Sequence, residues 1–163
     1  MAESILSNKR ILVVDDEPDV LDVLEEEILE AAPTCKYEKA MTYEKAADKL
    51  KSRTYDVVIL DIMGVRGFDL LDLAVSRRFR VIMLTAHALN PEALKRSFQM
   101  KARAYLPKEK LGEIVPFLED VLSYEYLPGW RRHLEKLKGF FDTKFESDWE
   151  KKTGLNWQEW GRL

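Results

Sequence analysis

Five residues of types that can do chemistry stand where apolar runs end: Asp15 and Asp16 as a pair, Asp61, Thr85 and Lys108. The run Ile11 to Val14 leads into the paired acids, and "DVVIL" leads into Asp61. "RVIML" leads into Thr85, and "AYLP" leads into Lys108. Carboxylates gathered at one point repel one another, so the grouping is unfavourable unless something positive offsets it. A set of hard oxygen ligands suits magnesium, which keeps several waters and is held by one or two carboxylates plus an incoming phosphoryl group. With its charge offset, Asp61 stays ionised, and an ionised carboxylate can attack phosphorus to form an acyl phosphate. Such a transfer needs mainly positioning and charge neutralisation. A cation would cover one phosphoryl oxygen, Lys108 a second, and the Thr85 hydroxyl would donate to a third.

The elements between these residues must bring them together. The strand runs are unbroken in apolar residues, which suits strands buried on both faces. Helical spacing follows each one. Pro18 to Ala32 carries Val20, Leu21, Leu24, Ile28 and Leu29, with Pro18 in the first turn. A short strand, Cys35 to Ala40, precedes a helix from Tyr43 to Arg53 capped by Thr42. Gly64 and Gly67 mark a loop before a helix from Phe68 to Arg78. Asn90 and Pro91 open a helix to about Met100, and Leu111 to Tyr126 reads as one more, with Pro116 awkward unless it falls in an early turn. Five alternations of buried strand and helix predict an α/β fold, a doubly wound five-stranded parallel sheet with helices on both sides. Ligands of such sheets bind beyond the carboxyl ends of the strands, where the strand order reverses. All five chemical residues stand at those ends.

The composition is compatible with this reading. The 163 residues carry a net charge of -3, which offers no excess of cations for neutralising nucleic-acid phosphates. The short basic groups Arg77, Arg78, Arg80 and Arg131, Arg132 read as solvated faces. Cys35 is the only cysteine, which leaves no intrachain disulfide and fits a reducing, cytoplasmic setting. No stretch has the length and apolarity of a signal sequence or a membrane span.

In the order "ILVVDDEPDV", "DVVILDIMGVRGFDLL", "VIMLTAHA" and "AYLPKE", residues 9–126 resemble the CheY-like receiver domain of two-component response regulators. The resemblance implies the strand order 2-1-3-4-5, Asp61 as phosphoacceptor and Mg2+ as cofactor. It implies Asp16 as a direct metal ligand, Asp15 as one acting through water, and Met63 as a ligand through its backbone carbonyl. Thr85 and Lys108 match the switch hydroxyl and the site lysine, and Tyr105 matches the aromatic switch. The implied partner is a sensor histidine kinase or a phosphotransfer protein. Two positions depart from the pattern. Gly64 stands where proline is usual, and Lys108 is followed by Glu109 rather than by a proline with a cis bond. Because a cis bond before a non-proline residue costs about 2.5–4 kcal/mol, a trans bond is expected there.

Residues 127–163 fall outside the resemblance. Trp130, Leu134, Leu137, Phe141, Phe145 and Trp149 recur at spacings of three or four, so this extension reads as an amphipathic helix ended by Gly154, with a last turn bearing Trp157 and Trp160. Its apolar stripe can pack back on the rest of the chain, form a homodimer (as can the 90–126 face), or dock another protein. The segment is too small for a DNA-binding output domain, so signalling through protein contacts is expected. Two other functions stay open: a magnesium-dependent phosphohydrolase working through an aspartyl phosphate, and a scaffold that is never phosphorylated. His87 reads as a surface residue and His133 as a lone histidine without the helical bundle a phosphotransfer histidine needs.

Overall fold

The computed structural model describes residues 4–86, 90–145 and 148–159; His87 and Trp160 lie outside them. Five parallel strands are present: β1 (Arg10–Val14), β2 (Lys36–Ala40), β3 (Val57–Asp61), β4 (Arg80–Thr85) and β5 (Ala104–Pro107). Their spatial order is β2-β1-β3-β4-β5, as expected. Every residue of β3 is buried, as are all but the first residues of β1 and β4. This is what unbroken apolar runs require. The edge strand β2 is polar and largely open to solvent. The other edge, β5, is buried along its whole length.

The connecting helices are α1 (Pro18–Ala31), α2 (Tyr43–Ser52), α3 (Gly67–Ser76), α4 (Pro91–Gln99) and α5 (Ile114–Ser123). Thr42 caps α2 by accepting from the Lys45 amide at 3.2 Å, and Asn90 caps α4 by accepting from the Ala93 amide at 2.7 Å. The helix expected from Leu111 to Tyr126 is shorter. A 3-10 segment, Lys108–Glu113, precedes α5, and Tyr124 follows it in an extended conformation. Pro116 explains the late start: its ring would clash with the carbonyl four residues back in a longer helix, whereas in the first turn its missing N–H is not needed.

The basic groups are less solvated than expected. Arg77 donates to the Leu50 and Lys51 carbonyls at 2.8 and 2.7 Å, where α2 ends. Arg80 donates to the Val121 and Leu122 carbonyls at 2.6 and 2.9 Å, where α5 ends. Arg131 and Arg132 pair with Glu135 and Asp120.

The C-terminal stripe packs back on the sheet. It forms α6 (Tyr126–Lys144), a short α7 (Trp149–Thr153) and a final 3-10 turn, Trp157–Glu159. The single long helix expected here stops at Phe145, which is extended. Gly154 ends α7 with φ +67°, the left-handed conformation that suits glycine. Along α6, the Trp130 indole donates to the Ala102 carbonyl at 2.8 Å, and the Tyr126 hydroxyl donates to the Phe98 carbonyl. His133 Nε2 lies 3.0 Å from the Tyr105 amide and 2.8 Å from the Tyr105 carbonyl. Both Tyr105 groups lie at the outer edge of the sheet, and the ring nitrogen serves one or the other according to its tautomer, at an edge that would otherwise stand open as a template for another strand. Phe141 packs over Tyr105, and α7 packs against α4. Full burial of a Leu or Phe side chain contributes about 1.5–3 kcal/mol, and Leu134 and Phe141 are both completely buried.

Burial lowers the pKa of His133 to about 4, and nearby Lys136 adds to this while the Tyr105 backbone and Asp120 oppose it. The ring lies between Trp130 and Phe117. A histidine whose folded pKa lies below its unfolded value contributes stability that is present above the unfolded pKa and lost as pH falls toward the folded one. Acidification from about pH 6.5 to 4 should therefore weaken the seating of α6 by up to roughly 3 kcal/mol. Near-UV circular dichroism of the full chain should show this loss in that window, and His133→Gln should remove it. An identical acid transition in the variant would refute the role of His133.

Candidate functional site

The carboxyl ends of β1 and β3 lie side by side, because Val14 pairs with Leu60 in register. Asp15 and Asp61 are thereby buried next to one another, while Asp16 is exposed. One carboxylate oxygen from each of the three acids falls within 4.8 Å of the others. Lys108 follows β5 directly. Its ammonium lies 2.9 Å from Asp15, 3.3 Å from Asp61 and 3.4 Å from Glu17. Asp15 also accepts from the Glu17 amide at 2.9 Å, at the start of α1.

One lysine does not offset this much negative charge. Burial, and then the charge of Asp15, raise the pKa of Asp61 to about 6 against the pull of Lys108. Burial also raises Asp15, again opposed by Lys108. Burial alone would lower Lys108, but its contacts with Asp15 and Asp61 outweigh that and raise it. Two buried acids held away from their ordinary values beside an exposed third form a donor set that a divalent cation fits: all oxygen, with an open side at Asp16 for water or ligand.

Two glycines build the turn around these acids. Gly64 has φ +82°, and a Cβ there would lie 2.6 Å from Asp16 Oδ2. A proline, whose φ is fixed near −65°, cannot adopt this conformation, which accounts for the departure at this position. Gly67 starts α3 hard against the end of β3, and a Cβ there would lie 2.1 Å from the Asp61 carbonyl oxygen. Met63 lies in the same turn with its side chain 53% exposed, so any contribution it makes to the acids falls to its backbone.

Thr85 stands at the end of β4, beside β3. Among the described residues its buried hydroxyl has no hydrogen-bond partner of normal geometry, and a buried hydroxyl in that state is costly. Tyr105 is separate from the acids. Its ring is fully buried and its hydroxyl accepts from the Asn90 amide at 3.1 Å. Burial raises the phenol to about 12, with the Asn90 backbone pulling it back. The structure thus groups Asp15, Asp16, Asp61 and Lys108, and places Thr85 and Tyr105 beyond them toward α4. Sequence reading missed Glu17 as a partner of Lys108; its signal was the third acid of "DDE". No peptide bond among the described residues is cis, so Lys108–Glu109 is trans.

Residues 11–118 match the response regulator receiver domain. The chain belongs to this family. It is similar to a CheY-like receiver domain protein from Methanospirillum hungatei JF-1, with 28% identity, a TM-score of 0.58, and coverage of 70% of this chain and 95% of that one. The receiver domain of NtrX from Brucella abortus is 26% identical, with a TM-score of 0.61 and coverage of 71% and 99%. The phosphorylated cyanobacterial phytochrome response regulator RcpA, at 18% identity, shares the fold: its TM-score is 0.61, over 70% of this chain and 93% of that one. No curated protein is significantly similar. A receiver implies a histidine kinase or a phosphotransfer protein as partner, and receivers are in general not enzymes with a separate substrate. The family match ends within α5, so α6 and α7 lie beyond it. Among the described residues no helix is long and apolar enough to cross a membrane.

The turn at Gly64 gives a direct test of how the receiver aims Asp16. Gly64→Ala should cost about 1–2 kcal/mol from the left-handed backbone alone. It should also push Asp16 aside, so that magnesium stabilises the variant less than the parent in chemical denaturation. An equal gain from magnesium in both proteins would show that the turn does not position the acid.

Proposed function

We propose that this receiver accepts a phosphoryl group on Asp61 with Mg2+ and passes the signal on through protein contacts in a phosphorelay. The observation that carries the reading is the pairing of buried Asp61 with Lys108 at 3.3 Å, beside two further acids and the unpartnered Thr85 hydroxyl. Asp15, Asp16 and Asp61, with the Met63 carbonyl, would hold the metal. When bound, the metal supplies the positive charge that keeps Asp61 ionised and neutralises phosphoryl oxygens.

In the forward step an Asp61 carboxylate oxygen forms a bond to phosphorus as the bond from phosphorus to the donor breaks. The electron pair leaves with the donor group, a histidine nitrogen or the acetate of acetyl phosphate. Lys108 is already aimed at Asp61 and can follow a phosphoryl oxygen as it arrives. Thr85 gains the acceptor that its hydroxyl lacks. Water later attacks phosphorus and restores the carboxylate with release of inorganic phosphate.

The readout proposed is the seating of α6 and α7. Thr85, drawn toward a phosphoryl oxygen, alters the surroundings of the Tyr105 hydroxyl and its bond to Asn90. The peptide group of Tyr105 is held by His133, and its ring lies under Phe141. Phosphate can shift this arrangement only if it favours one seating over the other.

Incubated with acetyl phosphate and magnesium, the protein should gain one phosphoryl group by intact mass, and Asp61→Asn should gain none. Equal labelling of the Asn variant would sink the assignment. Beryllofluoride with magnesium should change tryptophan fluorescence or the oligomeric state. Thr85→Ala should blunt that response while Asp61 still accepts phosphate. If neither fluorescence nor sizing responds in the parent protein, α6 and α7 are a fixed cover and the output lies elsewhere.

A further inference from the structure

The opposite end of the sheet carries the reverse charge problem. A cleft of about 470 Å³ opens there between the ends of α3 and α4 and the start of α6, lined by Arg78, Arg80, Lys101, Arg103 and Tyr126. Among the described residues none of these four cations forms an ion pair with a carboxylate. In a chain of net charge -3, four unpaired cations around one cleft are a local excess.

Two of the four are held in place by the fold. Arg80 and Arg103 each use one terminal nitrogen on carbonyls at the end of α5, Val121 and Leu122 for the first and Tyr124 for the second. Complementing helix carbonyl ends explains those nitrogens. It leaves the rest of both guanidiniums, together with Arg78, unaccounted for. Burial and the neighbouring Arg80 lower the pKa of Arg103, and Glu125 offsets this from beyond ion-pair distance. Lys101 and Arg103 both lie against the Tyr126 ring, at 5.0 and 5.8 Å from its centre. The other two cations stand at strained backbone positions. Arg78 has φ +64° and Lys101 has φ +74°, just after α3 and α4, where glycine would sit without strain.

We propose that this cleft binds a ligand bearing a chain of two or three phosphates. Arg80 and Arg103, preorganised by their backbone hydrogen bonds, would supply planar donors to phosphate oxygens, and Arg78 and Lys101 would close on the chain from the rim. A chain reaches cations on both sides of the cleft, where a single phosphate faces only some of them. Because Tyr126 begins α6, an occupant would tie the foot of that helix to the starts of β4 and β5.

Isothermal titration of the full chain with sodium tripolyphosphate, without magnesium, tests this. One site per chain is expected. The double variant Arg78→Gly/Lys101→Gly should weaken binding by roughly tenfold or more. Its melting temperature should not fall, since glycine relieves both left-handed positions. Lys36→Gln/Lys51→Gln, with the same loss of charge elsewhere, should bind as the parent does. Equal weakening in both double variants would reduce the effect to general electrostatics and overturn the site. Orthophosphate binding as tightly as tripolyphosphate would overturn the phosphate chain. ATP distinguishes the sources: affinity equal to tripolyphosphate means that the phosphate chain alone is read, and higher affinity means that a nucleoside is read as well. A single-stranded oligonucleotide that binds without competition from tripolyphosphate, when tripolyphosphate itself does not bind, would overturn the proposal in favour of nucleic acid.

Discussion

The crowding of Asp15, Asp16 and Asp61 is the constraint on which the rest of the site depends. Each acid follows a strand that must be buried on both faces, so the sheet itself brings them together. In-register pairing of β1 with β3 leaves no room to separate Asp15 from Asp61. Lys108 offsets part of the repulsion, and it can do so only because β5 delivers it to the same edge. Thr85 pairs with Pro107, which places the lysine one residue beyond the end of the pairing. The strand order is therefore an electrostatic requirement as well as a packing solution. A slip of one residue in β5 would turn Lys108 away and leave two buried carboxylates uncompensated, which the interior does not tolerate.

The residual imbalance is what makes the site receptive. A fully neutralised cluster would gain little from a cation. Here Asp61 stays raised to about 6 despite its lysine. Near and below pH 6, binding of a cation would therefore be linked to loss of a proton, and the stabilisation denied to the free cluster would become available to an occupied one. Among the described residues the Thr85 hydroxyl follows the same pattern in hydrogen bonding: it is a buried donor without an acceptor.

Much of this was legible in the sequence, because the central strands are unbroken apolar runs and the chemical residues stand at their ends. The acid cluster and the lysine follow from those two facts, whereas the sheet order came from the resemblance to receiver domains. What was illegible depends on groups without a periodic signal. Gly64 read as a departure from a family pattern, yet its φ of +82° and its closeness to Asp16 make it a fitted part of the turn. The break of the last helix at Phe145 could not be read, since Phe145 and Trp149 continue the apolar spacing across it. The stacking of Phe145 on Phe141 and the edge contact of Trp149 with both rings keep all three buried in spite of the break. His133 was the least legible residue, because an isolated histidine in a charged helix does not announce that it closes the edge of a sheet.

Tyr105 joins the two halves of the molecule, and its two ends answer to different forces. The hydroxyl is bound to the Asn90 amide at the start of α4, on the side of Thr85. The peptide group is bound to His133 and the ring lies beneath Phe141, on the side of α6. A fully buried ring cannot change position without changing what covers it, because the interior is close-packed and has discrete arrangements rather than a continuous range. If Asp61 is the phosphoacceptor proposed above, an event there that alters the demand on the Thr85 hydroxyl would act on the α6 seat through one side chain. The reverse holds as well. On the same proposal, a partner that held α6 down would stabilise the present Tyr105 rotamer, and by linkage would weaken whatever at Asp61 favoured another one.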